Sequence, residues 1–264
     1  MTTVAAARSV VRDGVRLAYI EAGVGDPPLL LIHGWCCNHS FWREQLSAFS
    51  GQHRIVAVDL RGHGESDKPQ QDYTIGGFAE DVAWLCERTG LKRPVVVGHS
   101  MGGMIAFELV RRYPALARAA VFLDSPLMPF SEDMQATLAE VQAGLASPQY
   151  KEVAAQLIEA MLFLADSSRD LVDWTVRSMT AAPQQVMASA FASIVSTAAE
   201  LPAGELPVPG LFVSASDGPY PISAIKARYP NAQVAQVTCA GHFLQLEAPD
   251  QFNAMLRRFL EVST

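Results

Sequence analysis

The chain has four cysteines in 264 residues, at positions 36, 37, 86 and 239. Their spacing offers no zinc ligand pairs, and a disulfide framework does not suit a chain of this size without a secretion signal. Positive charge is in deficit, with 20 Lys and Arg against 27 Asp and Glu, a formal charge of -7. With no basic run, this argues against nucleic acid as a partner. No apolar run approaches the length that would span a bilayer. The first eight residues are too poor in apolar side chains for a leader peptide, so a cytoplasmic protein is expected. The six histidines include no two at metal-ligand spacing on a predicted helix, so neither metal nor cofactor is expected. Internal repeats and low-complexity tracts are absent. What remains is a composition half hydrophobic and 18% charged, which forms cores.

The stretch with most chemical content is 95–103. Val95, Val96 and Val97 run into Gly98, His99, Ser100, Met101, Gly102 and Gly103, and an apolar helix-prone run follows. This reads as a buried strand, a very tight turn and a helix. A serine held at such a turn is strained and projects from the end of the sheet. The residues two before and two after it approach closely, so small side chains are required there. The plain alternative, a surface serine in a glycine-rich turn, leaves the coincidence of strand, glycines and helix unexplained.

Before the elbow, Asp13-Gly14 marks a hairpin within residues 8–22. Leu29–Ile32 and Arg54–Val58 read as buried strands, with helices expected at about 40–49 and 74–88. Residues 119–123 form the next strand, ending at Asp124. From 127 to 205 there is no convincing strand. Four helices are expected there, near 132–145, 149–164, 168–181 and 184–198. Met128, Met134, Met161, Met179 and Met187 lie in this region with Phe130, Phe163, Trp174 and Phe191. Ordinary core filling explains part of this bulk; an adaptable apolar pocket wall explains the rest. Alternation resumes with strands at 209–214, ending before Asp217, and 232–238, ending before His242. The pattern predicts an α/β fold, a mostly parallel central sheet with helices on both faces. A helical cap (127–205) is expected after the sixth strand, within a core made of 1–126 and 206–264.

A serine hydroxyl needs a base, and the base needs a group that fixes its tautomer. Reactive groups of a parallel sheet gather at the carboxyl ends of its strands. Ser100, Asp217 and His242 all follow strands, while Asp124 is a second carboxylate in such a position.

At this point the chain resembles the α/β-hydrolase superfamily over nearly its whole length. The matching residues are His33-Gly34-Trp35, the loop from Asp59 to Ser66, Gly98 to Gly103, Asp217 and Gly241-His242. The resemblance implies Ser100 as nucleophile, His242 as general base then acid, and Asp217 as its orienter. Some members take the acid from the earlier strand, which would be Asp124. It further implies an oxyanion hole from the backbone N–H groups of Trp35 and Met101. Trp35, Met128, Phe130, Met161 and Phe243 are the expected substrate contacts. His33 is expected to fix its loop through hydrogen bonds, His99 to point away from the site, Asp59 to be structural, and His39 and His53 to lie at the surface. The function implied is a serine carboxylesterase for a small-molecule ester with an apolar acyl or aryl part. The similarity to cofactor-free haloperoxidases and perhydrolases keeps that chemistry open, with lactone and carbon–carbon hydrolysis and, in another class, a ligand-sensing receptor. Dehalogenase and epoxide hydrolase relatives carry Asp at the elbow, where this chain has Ser100.

Overall fold

The computed structural model describes residues 5–218 and 220–263. The start of the stretch tested above for a leader, residues 1–4, lies outside them. Eight strands form one sheet in the order β1-β2-β4-β3-β5-β6-β7-β8. They are β1 (Ala6–Arg12), β2 (Val15–Ala22), β3 (Leu29–Ile32), β4 (Ile55–Val58), β5 (Val95–His99), β6 (Ala119–Leu123), β7 (Gly210–Ser214) and β8 (Gln233–Gln236). The β1–β2 hairpin is antiparallel, and β2 pairs antiparallel with β4. Every pair from β4 to β8 is parallel. Asp13 and Gly14 both have positive φ, 50° and 79°, the backbone that a two-residue hairpin turn requires.

The continuous apolar runs of β3, β4, β5 and β6 are wholly buried because both sheet faces are covered. Side chains alternate between the faces. Leu30, Ile32, Val56, Val58 and Val96 pack with α2 (Ile75–Thr89) and α3 (Met101–Arg112). Leu29, Leu31, Ile55, Ala57, Val95 and Val97 pack with α1 (Arg43–Phe49) through Phe49 and with α10 (Pro249–Ser263) through Phe252, Leu256 and Phe259. A 3-10 turn over His39–Trp42 precedes α1, where one helix was expected from about Ser40. Asn38 caps that turn through its side chain, which accepts the Ser40 N–H at 2.9 Å.

Four helices fill the chain between β6 and β7: α4 (Glu132–Leu145), α5 (Tyr150–Met161), α6 (Arg169–Met179) and α7 (Gln184–Glu200). Each starts and ends within a few residues of its sequence expectation. The last of them is tied to the sheet side of the molecule by polar contacts. Ser189 and Ser193 hydroxyls accept the N–H groups of Tyr73 and Ile75 at 2.7 and 2.9 Å. The Trp35 indole donates to the Met187 carbonyl at 2.9 Å. Two short helices, α8 (Ile222–Arg228) and α9 (Leu244–Glu247), flank β8. Strand β3 has β4 on one side and β5 on the other, so chain direction across the sheet reverses there. A crevice opens at the carboxyl ends of the strands at such a switch.

Candidate active site

Ser100 stands between β5 and α3 with φ 54° and ψ -120°, outside the regions a serine normally occupies. The strain is held by hydrogen bonds on both sides. Its N–H donates to the Leu123 carbonyl at 2.8 Å, and its carbonyl accepts the Gly103 N–H at 2.9 Å. A β-carbon on Gly98 would overlap the Gly102 carbonyl, and one on Gly102 would overlap the Ile32 carbonyl. The close approach inferred from the motif is therefore present.

His242 reaches Ser100's side of the sheet by crossing over β7. The loop after β8 rides on the loop after β7: Ser216 N–H donates to the Ala240 carbonyl at 3.0 Å, and Ala240 N–H donates to the Ser216 hydroxyl at 2.8 Å. This carries His242 to the end of β6. There its Nδ1 lies 2.7 Å from Asp124 Oδ2. A carboxylate only accepts, so Nδ1 carries the hydrogen and Nε2 is left for a reacting group. Oδ1 of Asp124 accepts the Ala215 N–H at 3.0 Å.

The carboxylate that pairs with His242 is thus Asp124, where Asp217 was expected. Asp217 is exposed at the rim of the same cavity and forms no hydrogen bond or ion pair among the described residues. The physical reason is local. Ser216 spends its backbone and side chain on Ala240, and the next residue is turned outward.

The cavity over Ser100 measures about 810 Å³. Trp35, Met128, Phe130, Met161 and Phe243, the expected substrate contacts, all line it. Met134, Met179, Phe163 and Phe191 add apolar wall, and among the described residues no Lys or Arg lines it. Among the described residues, the carboxylates on its surface are Asp124 and Asp217.

The α/β hydrolase fold family matches residues 27–249. The chain is an α/β hydrolase. Among curated relatives, mouse epoxide hydrolase 4 is 37% identical over 117 residues, which are 43% of this chain and 33% of that protein. The hydrolase therefore aligns with only about a third of that relative's length. The dihydrolipoyllysine-residue acetyltransferase component of an acetoin cleaving system from Cupriavidus necator is 30% identical over 94% of this chain and 67% of its own. Among solved structures, a thermophilic esterase from Thermogutta terrifontis superposes with a TM-score of 0.82 at 25% identity, covering 100% of both chains.

Around the elbow of the hydrolase, the loop after β3 lies directly on Ser100. A β-carbon on Gly34 would sit 3.2 Å from that of Ser100 and 3.1 Å from His99 Nδ1. Trp35 follows, its ring edge-on to Phe191 at 5.5 Å. Met101 opens α3 with its side chain fully buried in the core. Met101 thus follows Ser100 directly, and Trp35 follows Gly34, which touches Ser100.

His33 does hold its loop. It donates from Nδ1 to the Gly34 carbonyl at 2.8 Å and accepts the Leu60 N–H at Nε2, 3.1 Å away. Those partners require a neutral ring, and burial pulls its pKa down to about 4. Asp59 is fully buried and accepts the His39 and Glu65 backbone N–H groups and the His39 ring. Burial alone would raise its pKa, but the His39 hydrogen bond and the nearby histidines hold it below the ordinary value. His39, expected at the surface, is half-buried in this pair, and the hydrogen bond to Asp59 raises its pKa. His53 too is half-buried and hydrogen-bonds the Pro27 carbonyl at 2.8 Å.

His99 does not point away. It is buried beneath His242, ring centroids 4.6 Å apart, and its Nε2–H donates to the His242 carbonyl at 2.9 Å. Burial, then the neighbouring His242, pushes its pKa well down. The α5–α6 connection also reaches the site, with Leu162, Phe163 and Leu164 on the cavity wall. Composition gave no signal that this break between helices would touch His242. Cys36 and Cys37 are buried beside the loop, and burial raises both thiols well above their ordinary pKa, which leaves them unreactive.

Proposed function

We propose that this α/β hydrolase is a serine carboxylesterase acting on small to medium, uncharged esters with an apolar acyl or aryl part. Ser100 Oγ attacks the ester carbonyl while His242 Nε2 takes its proton. Asp124 holds the imidazole in the right tautomer and stabilises the imidazolium. The backbone N–H groups of Trp35 and Met101 receive the oxyanion. His242 then protonates the leaving alcohol, and a water primed by His242 releases the acid from Ser100. The observation that carries this reading is the 2.7 Å pairing of His242 Nδ1 with Asp124, in one apolar cavity with the strained Ser100.

The absence of Lys and Arg from the wall among the described residues supports uncharged substrates, because a buried carboxylate without a cation is costly. The likeness to epoxide hydrolases does not extend to the elbow, where Ser100 stands in place of a carboxylate. The four free cysteines suit a reducing compartment, so a cytoplasmic location belongs to the proposal. We also take the four helices of 127–205 to act as the lid.

The test is hydrolysis of p-nitrophenyl butyrate by wild type and Ser100→Ala. The variant should lose at least about a thousandfold in kcat/KM, and a phosphonate ester should add one covalent mass at Ser100. Near wild-type turnover by Ser100→Ala overturns the proposal. An ester ending in a carboxylate should fall at least about tenfold below its methyl-capped analogue in kcat/KM. Parallel assays with a lactone, a ring-cleavage dienone and peroxide as acyl acceptor separate the neighbouring chemistries, and fast multiple turnover excludes a receptor.

A further inference from the structure

Residues 162–168, which join α5 to α6, meet the segment 241–247 at three points. The His242 N–H donates to the Leu162 carbonyl at 3.1 Å. The Phe163 and Phe243 rings stack with centroids 5.2 Å apart and planes 30° apart. The Ser167 hydroxyl donates to Glu247 Oε2 at 2.6 Å and accepts the Leu164 N–H at 3.0 Å.

Gly241 sits in the middle of this contact. A β-carbon there would come within 3.0 Å of the Leu162 carbonyl, 3.2 Å of the Leu164 nitrogen and 3.2 Å of Glu247 Oε1. The residue before the base thus lets the cap chain lie flat against it. Glu247 closes the same contact from the other side. Its Oε1 is buried with no hydrogen-bond partner among the described residues, a cost that the short Ser167 bond to Oε2 offsets.

His242 is therefore held from three directions. Asp124 holds its ring, His99 holds its carbonyl, and Leu162 takes its N–H. The first two belong to the sheet core and the third to the cap. A base displaced by about 1 Å loses on the order of a hundredfold in rate, so a backbone anchor on one side matters.

We propose that Ser167 and Glu247 are positioning residues for His242. Their bond latches the α5–α6 connection so that the Leu162 carbonyl fixes the base, and the reacting geometry is complete only while the cap is seated. The inference rests on the reading of His242 as general base, and it assigns the cap a part in assembling the site besides covering it.

The experiment pairs amide hydrogen exchange at His242 with steady-state hydrolysis of p-nitrophenyl butyrate in the full chain. Ser167→Ala and Glu247→Ala should each speed His242 exchange about tenfold and lower kcat about tenfold, with KM within about twofold. Glu247→Gln, which keeps an acceptor oxygen for Ser167, should recover most of both. Thermal melts identify any variant that fails to fold, and Glu247→Gln then carries the comparison. Unchanged exchange at His242 in the alanine variants, or a loss confined to KM, overturns the latch. Should wild type turn over no ester, the functional reading fails while the exchange measurement still decides whether the latch exists.

Discussion

Asp124 and His242 meet at 2.7 Å although their strands, β6 and β8, are separated by β7. The loop after β8 bridges that gap by pairing with Ser216. Asp124 thus follows the strand next to the one that leads into Ser100, and the carboxylate after β7 is left outside the pair.

Replacing the two carboxylates separates their roles. Asp124→Asn should keep the fold and lower kcat by about a thousandfold or more, because the amide stabilises the wrong imidazole tautomer. Asp217→Asn, at an exposed rim position, should stay within about threefold of wild type. Equal losses in the two variants, measured on the same ester, would show that the pairing seen at Asp124 is not the one used in turnover.

The elbow glycines should be among the least replaceable residues. Gly98→Ala and Gly102→Ala each drive a β-carbon into a backbone carbonyl that cannot swing aside. A loss of about 3 kcal/mol or more, or no soluble protein, is expected from urea unfolding. Gly51→Ala is the control. Open space surrounds that position, and the change should stay within about 1 kcal/mol.

Acid should weaken the fold through the buried histidines beneath the site, His33 and His63 as well as His99, whose pKa is also pushed well down by burial. His33 and His63 are buried with ring centroids 5.1 Å apart. Burial lowers their pKa values from 6.5 to about 4 and about 3. The unfolded chain therefore binds more protons than the folded one below pH 6.5. Stability is complete above that value and falls as pH drops from 6.5 toward each folded pKa, by about 1.4 kcal/mol per pH unit per histidine. His39 acts in the opposite sense. Its raised pKa contributes stability below pH 6.5 that is lost as pH rises through the folded value. Unfolding midpoints between pH 7 and 4.5 should fall steeply in wild type and less steeply in His63→Gln. A flat profile would contradict the neutral, buried state of both rings.

Much of this was legible in the residues. The strands of the core are short apolar runs that admit little other reading, and the four helices between β6 and β7 were set off by Ser-Pro and Ala-Pro breaks. Ser100 and His242 follow strands, which the alternation located. Asp124 and Asp217 follow strands equally well, and pattern alone does not say which loop is occupied elsewhere. Ser216 decides it through two hydrogen bonds to Ala240, a long-range pairing with no local signature. His99 is a similar case. Preceding Ser100 in the elbow, it is expected to point away, but the carbonyl it binds belongs to a residue 143 positions away. His39 carries no local sign that it leaves the expected surface position to pair with Asp59, twenty residues on.

The four methionines on the cavity wall, Met128, Met134, Met161 and Met179, have a practical consequence for handling the protein. Thioethers oxidise to sulfoxides, which are polar and chiral. Prolonged exposure to peroxide would convert the lining from oil-like to wet while leaving the hydroxyl of Ser100 intact. Aged or oxidised preparations would then bind apolar molecules more weakly with their reacting groups unharmed, and a reductase for methionine sulfoxide would restore them.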